Sequence, residues 1–140
     1  MNAFQTSRDI PATPEEVFAT MADPQRLARW WGPAGFTNTF DVCEFEPGGR
    51  WLFTMHGPDG ANYKNDSVFA EIERPARVVV QHVSEPRFRL TITLAPCPAG
   101  TRVGWLQEFE NAEVAARVEH IVRPANEQNL DRLTAECQAL

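Results

Sequence analysis

Hydrophobic residues recur with a period of two in two parts of the chain, residues 3–10 and residues 37–109. In the second part the alternation is interrupted by turn signals rich in glycine and proline, such as residues 46–49 and 57–60. A period of two is typical of strands that bury one face, and tight turns of this kind join antiparallel neighbours. The pattern therefore predicts one strand near the start of the chain and about six antiparallel strands in its middle.

Signals for short helices lie between the first strand and the remaining strands. Thr13-Pro14-Glu15-Glu16 carries the capping-box pattern, with a proline at the first helical position. Asp23-Pro24 repeats the cap and the proline, and Gly32-Pro33 must stop the helix that begins there. We therefore expect two short helices after the first strand.

The C-terminal part of the chain has a helical pattern, since residues 113–122 follow the 3.6-residue period. Pro124 comes next, and it either kinks one long helix or begins a new one. The residues after it form one stripe that should pack on the sheet. The members of this stripe are Asn126, Leu130, Leu133 and Cys137.

This order of elements predicts an α+β fold in which residues 1–140 form one domain. A sheet of six or seven antiparallel strands twists and curls around a long helix that crosses its concave face. One helix leaves part of that face uncovered. We therefore expect a ligand-sized cavity between the sheet and the C-terminal helix, bordered by the two short helices.

The inward-facing rows of the predicted strands supply the walls of this cavity. Most of these side chains are large and apolar, a composition that fits either a packed core or a binding pocket. The segment that follows the two short helices contributes further wall residues, and the C-terminal helix contributes others. The predicted ligand-binding residues are Trp31, Phe36, Trp51, Phe53, Met55, Phe69, His82, Phe88, Trp105, Gln107, Phe109, Asn126 and Leu130.

Two of the four tryptophans are adjacent, in the motif Arg29-Trp30-Trp31-Gly32-Pro33. Neighbouring side chains in a helix or strand point in different directions, so both indoles cannot serve one flat core face. Trp30 lies three residues after Leu27 and is assigned to the core. Trp31, which is followed by Gly-Pro, is assigned to the rim of the cavity, although both indoles could instead plug the end of a small domain.

Three polar residues interrupt the apolar rows. His82 shares its strand face with Val80, Gln107 lies in the row of Trp105, and Asn126 lies in the helical stripe. Buried polar groups need a partner, so these residues either bind a ligand or bond to one another, to backbone or to water. His82 is the one plausible general base among them because its ordinary pKa lies near neutrality.

Composition narrows the expected partners. Thirteen basic and nineteen acidic side chains give a net charge of −6, which disfavours nucleic acid and anionic lipid. The three cysteines and three histidines lack metal-site spacing, so neither a metal nor another cofactor is expected. No apolar run is long enough for membrane insertion and the start lacks signal-peptide features, so we expect a cytoplasmic protein.

Several short motifs follow one another along nearly the whole chain. They are residues 10–18, Asp23-Pro24 with Leu27, Arg29-Trp30-Trp31-Gly32-Pro33 with Gly35-Phe36, Gly48-Gly49-Arg50-Trp51, residues 55–60, Phe69-Ala70-Glu71-Ile72, Thr101-Arg102-Val103 and Leu130-Asp131-Arg132-Leu133. In these motifs and their order the chain resembles the SRPBCC superfamily, whose START-like, birch-pollen-allergen-like fold is called the helix grip. Within it, the chain resembles the branch named after the activator of the 90-kDa heat-shock protein ATPase.

The resemblance implies a cavity between the sheet and the long helix. Members of the superfamily bind lipids, hormones, polyketides or other hydrophobic molecules there, and some are cyclases or hydrolases. The co-chaperone that gives the branch its name contacts its chaperone through surfaces that these motifs do not define. Where the family usually has an aromatic residue four positions before Leu-Asp-Arg-Leu, this chain has Asn126, which implies a larger or more polar cavity.

Three hypotheses about function follow. The leading one is a binding protein for a small, largely apolar molecule. The second is a cyclase- or hydrolase-like enzyme in which His82 is the acid/base and Gln107 or Asn126 polarises a carbonyl. The third is an interaction module that uses an exposed Trp-Trp loop or a sheet edge to form a homodimer or to contact a chaperone.

Overall fold

The fold is known from a computed structural model that describes residues 2–139. Two short helices follow the first strand, six strands come next, and one long helix ends the described chain. In chain order the elements are β1 (Ala3–Ile10), α1 (Pro14–Ala22), α2 (Pro24–Trp30), β2 (Thr37–Cys43), β3 (Arg50–His56), β4 (Asn62–Glu73), β5 (Arg77–His82), β6 (Phe88–Cys97), β7 (Gly100–Phe109) and α3 (Ala112–Gln138).

The strands form one antiparallel sheet in the order β1-β7-β6-β5-β4-β3-β2. Each of the strands β2 to β7 pairs with its neighbour in sequence, as the short turns predict. Strand β1 pairs with β7 at the opposite end of the sheet from β2, with Phe4 opposite Gln107. Register shifts between Phe40 and Val42 and between Phe69 and Glu71 interrupt the ladders. Such irregularities bend strands and increase twist. The helix-grip architecture expected from the resemblance is confirmed.

The short helices begin as the sequence predicts. Thr13 caps α1, and both bonds of its capping box with Glu16 are present, at 2.9 and 3.1 Å. Asp23 caps α2 by accepting from the backbone N–H of Gln25 at 3.0 Å. Helix α2 ends at Trp30, and Gly32 turns the chain with a φ of +98°. This backbone conformation favours glycine.

Helix α3 runs without interruption through Pro124. The alternative that Pro124 begins a new helix is therefore wrong. A proline deprives the carbonyl four residues earlier, here that of His120, of its helical partner. Both residues are exposed, so water can satisfy that carbonyl and the helix continues.

The core lies between the concave face of the sheet, the two short helices and the C-terminal half of α3. Leu130 and Leu133 of the predicted stripe are fully buried there. The N-terminal half of α3 covers a smaller cluster formed by Phe4, Phe109 and Ala115. Of the helices within residues 2–139, none has the length and hydropathy that a membrane span requires.

An ion-pair cluster fastens α2 to the end of α3. The carboxylate of Glu136 accepts from Arg29 at 2.9 and 3.0 Å and from Nε of Arg26 at 3.0 Å. Glu136 is only 7% exposed, so its charge depends on these partners. The cluster fixes the position from which the Trp30-Trp31 segment extends over the sheet.

Candidate functional site

A pocket of about 170 Å³ lies between the sheet, the middle of α3 and the segment that follows α2. It is partly open to solvent. Its volume is below the roughly 300–1,000 Å³ that is usual for ligand pockets. The residues that line it are Trp31, Gly32, Pro33, Phe53, Met55, Asn65, Ser67, Val80, His82, Phe88, Leu90, Trp105, Gln107, Ala125, Asn126 and Asn129.

Aromatic rings make up the apolar wall. The indole of Trp31 lies 6.4 Å from the Phe53 ring and 6.1 Å from the Trp105 indole, measured between centroids. Trp51 packs behind it, with its centroid 4.8 Å from that of Trp31. Offset and edge-on contacts at these distances are favourable for aromatic pairs. The wall is thus a rigid surface that suits another ring.

The adjacent tryptophans divide as the sequence predicts. Trp30 is 1% exposed, and its indole N–H donates to the Thr20 carbonyl at 3.0 Å inside the core. Trp31 is 8% exposed and lines the pocket. Because both indoles are buried, they do not form the exposed Trp-Trp surface that the interaction hypothesis requires.

Arg132 of α3 holds the segment after Trp30 in place. Its Nη1 donates to the carbonyls of Trp31, Gly32 and Pro33, each at 3.0 Å, and its Nη2 donates to Arg29 at 2.7 Å. These groups include carbonyls at the end of α2 that have no helical partner. One guanidinium therefore positions the backbone that forms the rim of the pocket.

Asn129 makes a second connection between α3 and this segment. Its Nδ2 donates to the Trp30 carbonyl at 2.9 Å, and its Oδ1 accepts from the Gly32 N–H at 3.3 Å. Both ends of its amide are thereby satisfied by backbone. Although Asn129 lines the pocket, its polar groups serve the fold rather than a ligand.

An amide pair joins the sheet to α3 at the pocket wall. Nδ2 of Asn126 donates to Oε1 of Gln107 at 3.1 Å. Gln107 is 9% exposed and Asn126 is half-buried. Two of the polar residues singled out in the sequence are therefore brought together, across a separation of 19 positions in the chain.

His82 lies on the same pocket, on β5, and is 4% exposed. Its Nδ1 is 2.8 Å from the Pro86 carbonyl, which accepts only, so Nδ1 carries the proton of the neutral ring. Its Nε2 is 2.7 Å from Oδ1 of Asn65 and 3.4 Å from the Ser84 hydroxyl. Phe88 stacks on the imidazole at 4.5 Å between centroids.

Two opposing effects act on the His82 proton. Burial disfavours the charged imidazolium, whereas the carbonyl of Pro86 and the nearby Asp66 and Glu85 favour it. Burial is the larger effect, so the pKa of His82 lies below its ordinary value of 6.5. In the neutral ring Nε2 is an acceptor, so it can accept from the Ser84 hydroxyl, whereas the Asn65 oxygen is also an acceptor and gives it no hydrogen bond.

Several predicted site residues lie elsewhere. Trp51 and Phe69 stack on each other at 5.2 Å in the core beneath α2. Phe36 packs against Tyr63, with 6.1 Å between ring centroids. Phe109 belongs to the smaller cluster with Phe4, and Leu130 is fully buried. The other predicted ligand-binding residues line the pocket, and that they bind a ligand stays a prediction.

The pocket also contains polar residues that were not predicted as site residues. Asn65 and Ser67 lie on β4 in the row that leads to Phe69, so the strand alternation carried a signal for them. Asn129 also carried a signal, because it lies three residues after Asn126 and four before Leu133 and so belongs to the same face of α3.

Charge is absent from the pocket lining, where His82 is the sole titratable side chain. Within residues 2–139, no three His, Cys, Asp or Glu side chains are grouped so that they could hold a metal ion.

The indole N–H groups of Trp51 and Trp105 are buried and lack a hydrogen-bond partner in the described part of the chain. An unpartnered buried donor costs about 1–3 kcal/mol.

Sequence comparison identifies the family. The sequence profile described as "Activator of Hsp90 ATPase homolog 1-like protein" matches residues 11–138. The chain belongs to this family. No curated protein matches the chain significantly.

Solved structures share the architecture across almost their whole length. A protein from Arthrobacter aurescens, solved by NMR, is 26% identical, with a TM-score of 0.89 over 98% of this chain and 86% of that one. A crystal structure from Chromobacterium violaceum is 24% identical, with a TM-score of 0.85 over 96% of both chains. An AHSA1-like protein from Aeromonas hydrophila is 21% identical, with a TM-score of 0.76 over 95% of this chain and 92% of that one.

These comparisons bear on function at a coarse level. Membership of the activator of Hsp90 ATPase homolog 1-like family supports a ligand-binding or co-chaperone-like module. Identities below 25% indicate the shared fold alone. The finer function therefore has to be argued from the side chains of the pocket.

Proposed function

We propose that the protein binds a small, largely apolar molecule in the pocket between the sheet and α3. The observation that carries the proposal is the composition of the pocket wall. Trp31, Phe53, Phe88 and Trp105 supply apolar surface, and the lining contains no Asp, Glu, Lys or Arg, with His82 as its one titratable side chain. Burial of apolar area contributes roughly 25 cal/mol per Å², so a buried ring gains a few kcal/mol before the costs of association.

Acid/base catalysis by His82 is the second proposal, and the position of His82 on the pocket wall favours it. A substrate would have to take the place of Asn65 at Nε2, since Pro86 occupies Nδ1. Replacement of His82 by Gln keeps a polar side chain and removes the titratable ring. If a substrate is found, this variant should retain binding and lose turnover; retained turnover would refute the role.

A homodimer or a chaperone contact stays a separate proposal. The burial of Trp30 and Trp31 leaves the outer edges of β1 and β2, the two end strands of the sheet, as the remaining surfaces of the interaction hypothesis. An unpaired edge strand is able to pair with another chain. Size-exclusion chromatography with light scattering tests self-association, and a monomer at all concentrations would refute the dimer.

A cytoplasmic location is also proposed. Cys43, Cys97 and Cys137 are free thiols in the described structure and are half-buried. Reduced cysteines are usual in the cytosol, where thiols are kept reduced. Cell fractionation of the host, followed by thiol labelling without a reducing agent, would show whether the protein occurs there in reduced form.

The binding proposal is tested by a matched pair of variants on α3. Asn126→Phe introduces the aromatic residue that the family resemblance implies at this position and should fill part of the pocket. Ile121→Phe places the same ring on a residue that is 59% exposed and does not line the pocket. We expect hydrophobic compounds to raise the melting temperature of the native protein and of Ile121→Phe but not of Asn126→Phe. Equal shifts in all three proteins would show that the compounds bind elsewhere.

A further inference from the structure

The amide pair on the pocket wall leaves hydrogen-bonding groups unused. Nδ2 of Asn126 donates to Oε1 of Gln107. Within residues 2–139, the structure describes no other hydrogen bond for either side-chain amide. An amide nitrogen can donate two hydrogen bonds and an amide oxygen can accept two. Nε2 of Gln107 and Oδ1 of Asn126 are therefore left without a described partner, and both residues line the pocket.

This result does not depend on how the two amides are oriented. If both were rotated by 180°, Gln107 would donate to Asn126, leaving the oxygen of Gln107 and the nitrogen of Asn126 unused. One unpaired donor group and one unpaired acceptor group remain on the two amides in either case. Their natural complement is a ligand with a carbonyl oxygen next to an N–H or O–H group.

Volume and charge limit the rest of the ligand. An apolar protein cavity of roughly 150 Å³ holds one benzene molecule, and the pocket measures about 170 Å³. A single ring therefore fits, whereas a lipid chain or a fused polycycle would extend outside. The lining carries no Asp, Glu, Lys or Arg, and its one titratable side chain, His82, is buried, so an ionised ligand would lose its hydration without gaining a permanent countercharge.

We propose that the pocket recognises a neutral, single-ring compound with an adjacent hydrogen-bond acceptor and donor, the pattern found in lactams, primary aromatic amides and hydroxy-ketones. The ring lies against the aromatic wall near Trp31 and Trp105. The carbonyl oxygen accepts from one amide of the Gln107–Asn126 pair, and the N–H or O–H donates to the other. This inference rests on the proposed binding function and names its ligand class.

Four single-ring probes test the class on the native protein. 2-Pyridone carries the acceptor and the donor, N-methyl-2-pyridone lacks the donor, toluene lacks both, and benzoate is charged. The indole N–H signals of Trp31 and Trp105 in ¹H–¹⁵N spectra report occupancy, and that of Trp30 is the internal reference. We expect 2-pyridone to bind roughly tenfold more tightly than its N-methyl derivative, the value of about one hydrogen bond, and benzoate to bind most weakly.

The outcomes distinguish a failure of the proposed ligand class from a failure of the proposed binding function. Saturable binding of toluene without a preference for 2-pyridone over N-methyl-2-pyridone would overturn the ligand class and leave the apolar pocket standing. Tightest binding by benzoate would overturn the neutrality argument. If none of the four probes binds, both the class and the proposed function fail.

Substitution of the amide pair provides a second readout. In the double variant Gln107→Leu/Asn126→Leu, toluene should bind as well as it does to the native protein, while the tenfold preference for 2-pyridone disappears. Gln25→Leu removes an exposed amide that does not line the pocket and should preserve the preference. A preference that survives in the double variant would overturn the inference, and the probe series on the native protein stands if a variant fails to fold.

Discussion

Nη1 of Arg132 lies 3.0 Å from the carbonyl oxygen of Trp31. The contact joins α3 to the segment that carries the rim of the pocket, across a separation of 101 positions in the chain. The same guanidinium also bonds the carbonyls of Arg29, Gly32 and Pro33. Burial lowers the pKa of Arg132 from its ordinary value. The side chain therefore replaces its lost hydration with backbone oxygens.

Arg132→Met should destabilise the protein. The substitution keeps the apolar stem and leaves the carbonyls of Trp31 and Gly32 without their donor, at a cost of about 2 kcal/mol or more. Arg132→Lys should fall between the native protein and Arg132→Met, because a single ammonium cannot reach all of these oxygens. Urea denaturation measures the change. A loss below about 0.5 kcal/mol for Arg132→Met, the size of ordinary surface substitutions, would contradict this role.

Substitution of Trp30 should mainly affect stability, whereas substitution of Trp31 should affect ligand binding. Trp30→Phe removes the bond to Thr20 and leaves a void in the core, so it should cost about 1–3 kcal/mol of stability and spare ligand affinity. Trp31→Phe should reduce the affinity for pocket ligands because Trp31 forms part of the wall. Thermal unfolding and probe titration on both variants check this division. Equal loss of affinity in the two would contradict it.

Acid should weaken the connection between α2 and α3 through Glu136. Its bond to Arg29, followed by that to Arg26, holds the pKa of the Glu136 carboxyl below its usual value despite burial. The stabilisation is therefore complete above the ordinary pKa of about 4.5 and is lost as the pH falls through the lower folded value.

Glu136→Gln provides the measurement for this effect. At pH 7 the variant should be about 1–3 kcal/mol less stable than the native protein, and its stability should fall less steeply below pH 4.5. Glu127→Gln, which removes an exposed partner of Arg8, is the matched control on the same helix. It should cost less than about 1 kcal/mol. Identical acid profiles for Glu136→Gln and the native protein would exclude the effect.

His82 should give a second pH dependence at higher pH. Because burial lowers its pKa in the folded protein, the unfolded chain binds the proton more readily. Stability is therefore highest above the ordinary pKa of 6.5 and decreases as the pH falls from there toward the folded pKa.

Melting temperatures between pH 5 and pH 8 test this sign. His82→Gln should flatten the slope just below pH 6.5, since glutamine does not titrate. His120→Gln makes the same substitution at an exposed histidine on α3 and serves as the control variant. A native protein that becomes more stable as the pH falls through 6.5 would contradict the assignment of a buried, neutral His82.

Local sequence signals predicted the elements with little error. The cap at Thr13, the cap at Asp23 and the alternation along β6 and β7 depend on residues close together in the chain, and all three were found as expected. The path of the helix past Pro124 was left open, because it depends on whether solvent can reach the carbonyl that proline leaves unpaired. In this structure that stretch is exposed, and α3 continues.

The candidate site was predicted less completely, for a geometric reason. A period of two assigns a side chain to a face of the sheet but does not say how far along the strand the pocket lies. Trp51 and Phe53 share a face of β3, yet Phe53 lines the pocket and Trp51 packs in the core under α2. Phe109 was likewise on the expected face and beyond the end of the pocket.

By itself, the sequence determined the helix caps, the strand faces, the antiparallel order of neighbouring strands and the presence of polar residues in apolar rows. These properties follow from local backbone preferences and from periodicity. The tertiary structure alone decided which polar residues meet, because Gln107 and Asn126 belong to different elements and contact only when α3 lies across the sheet. It also showed what holds the two adjacent indoles in their different places: the bonds of Arg132 and Asn129 to the chain after α2 keep Trp31 at the pocket and Trp30 in the core.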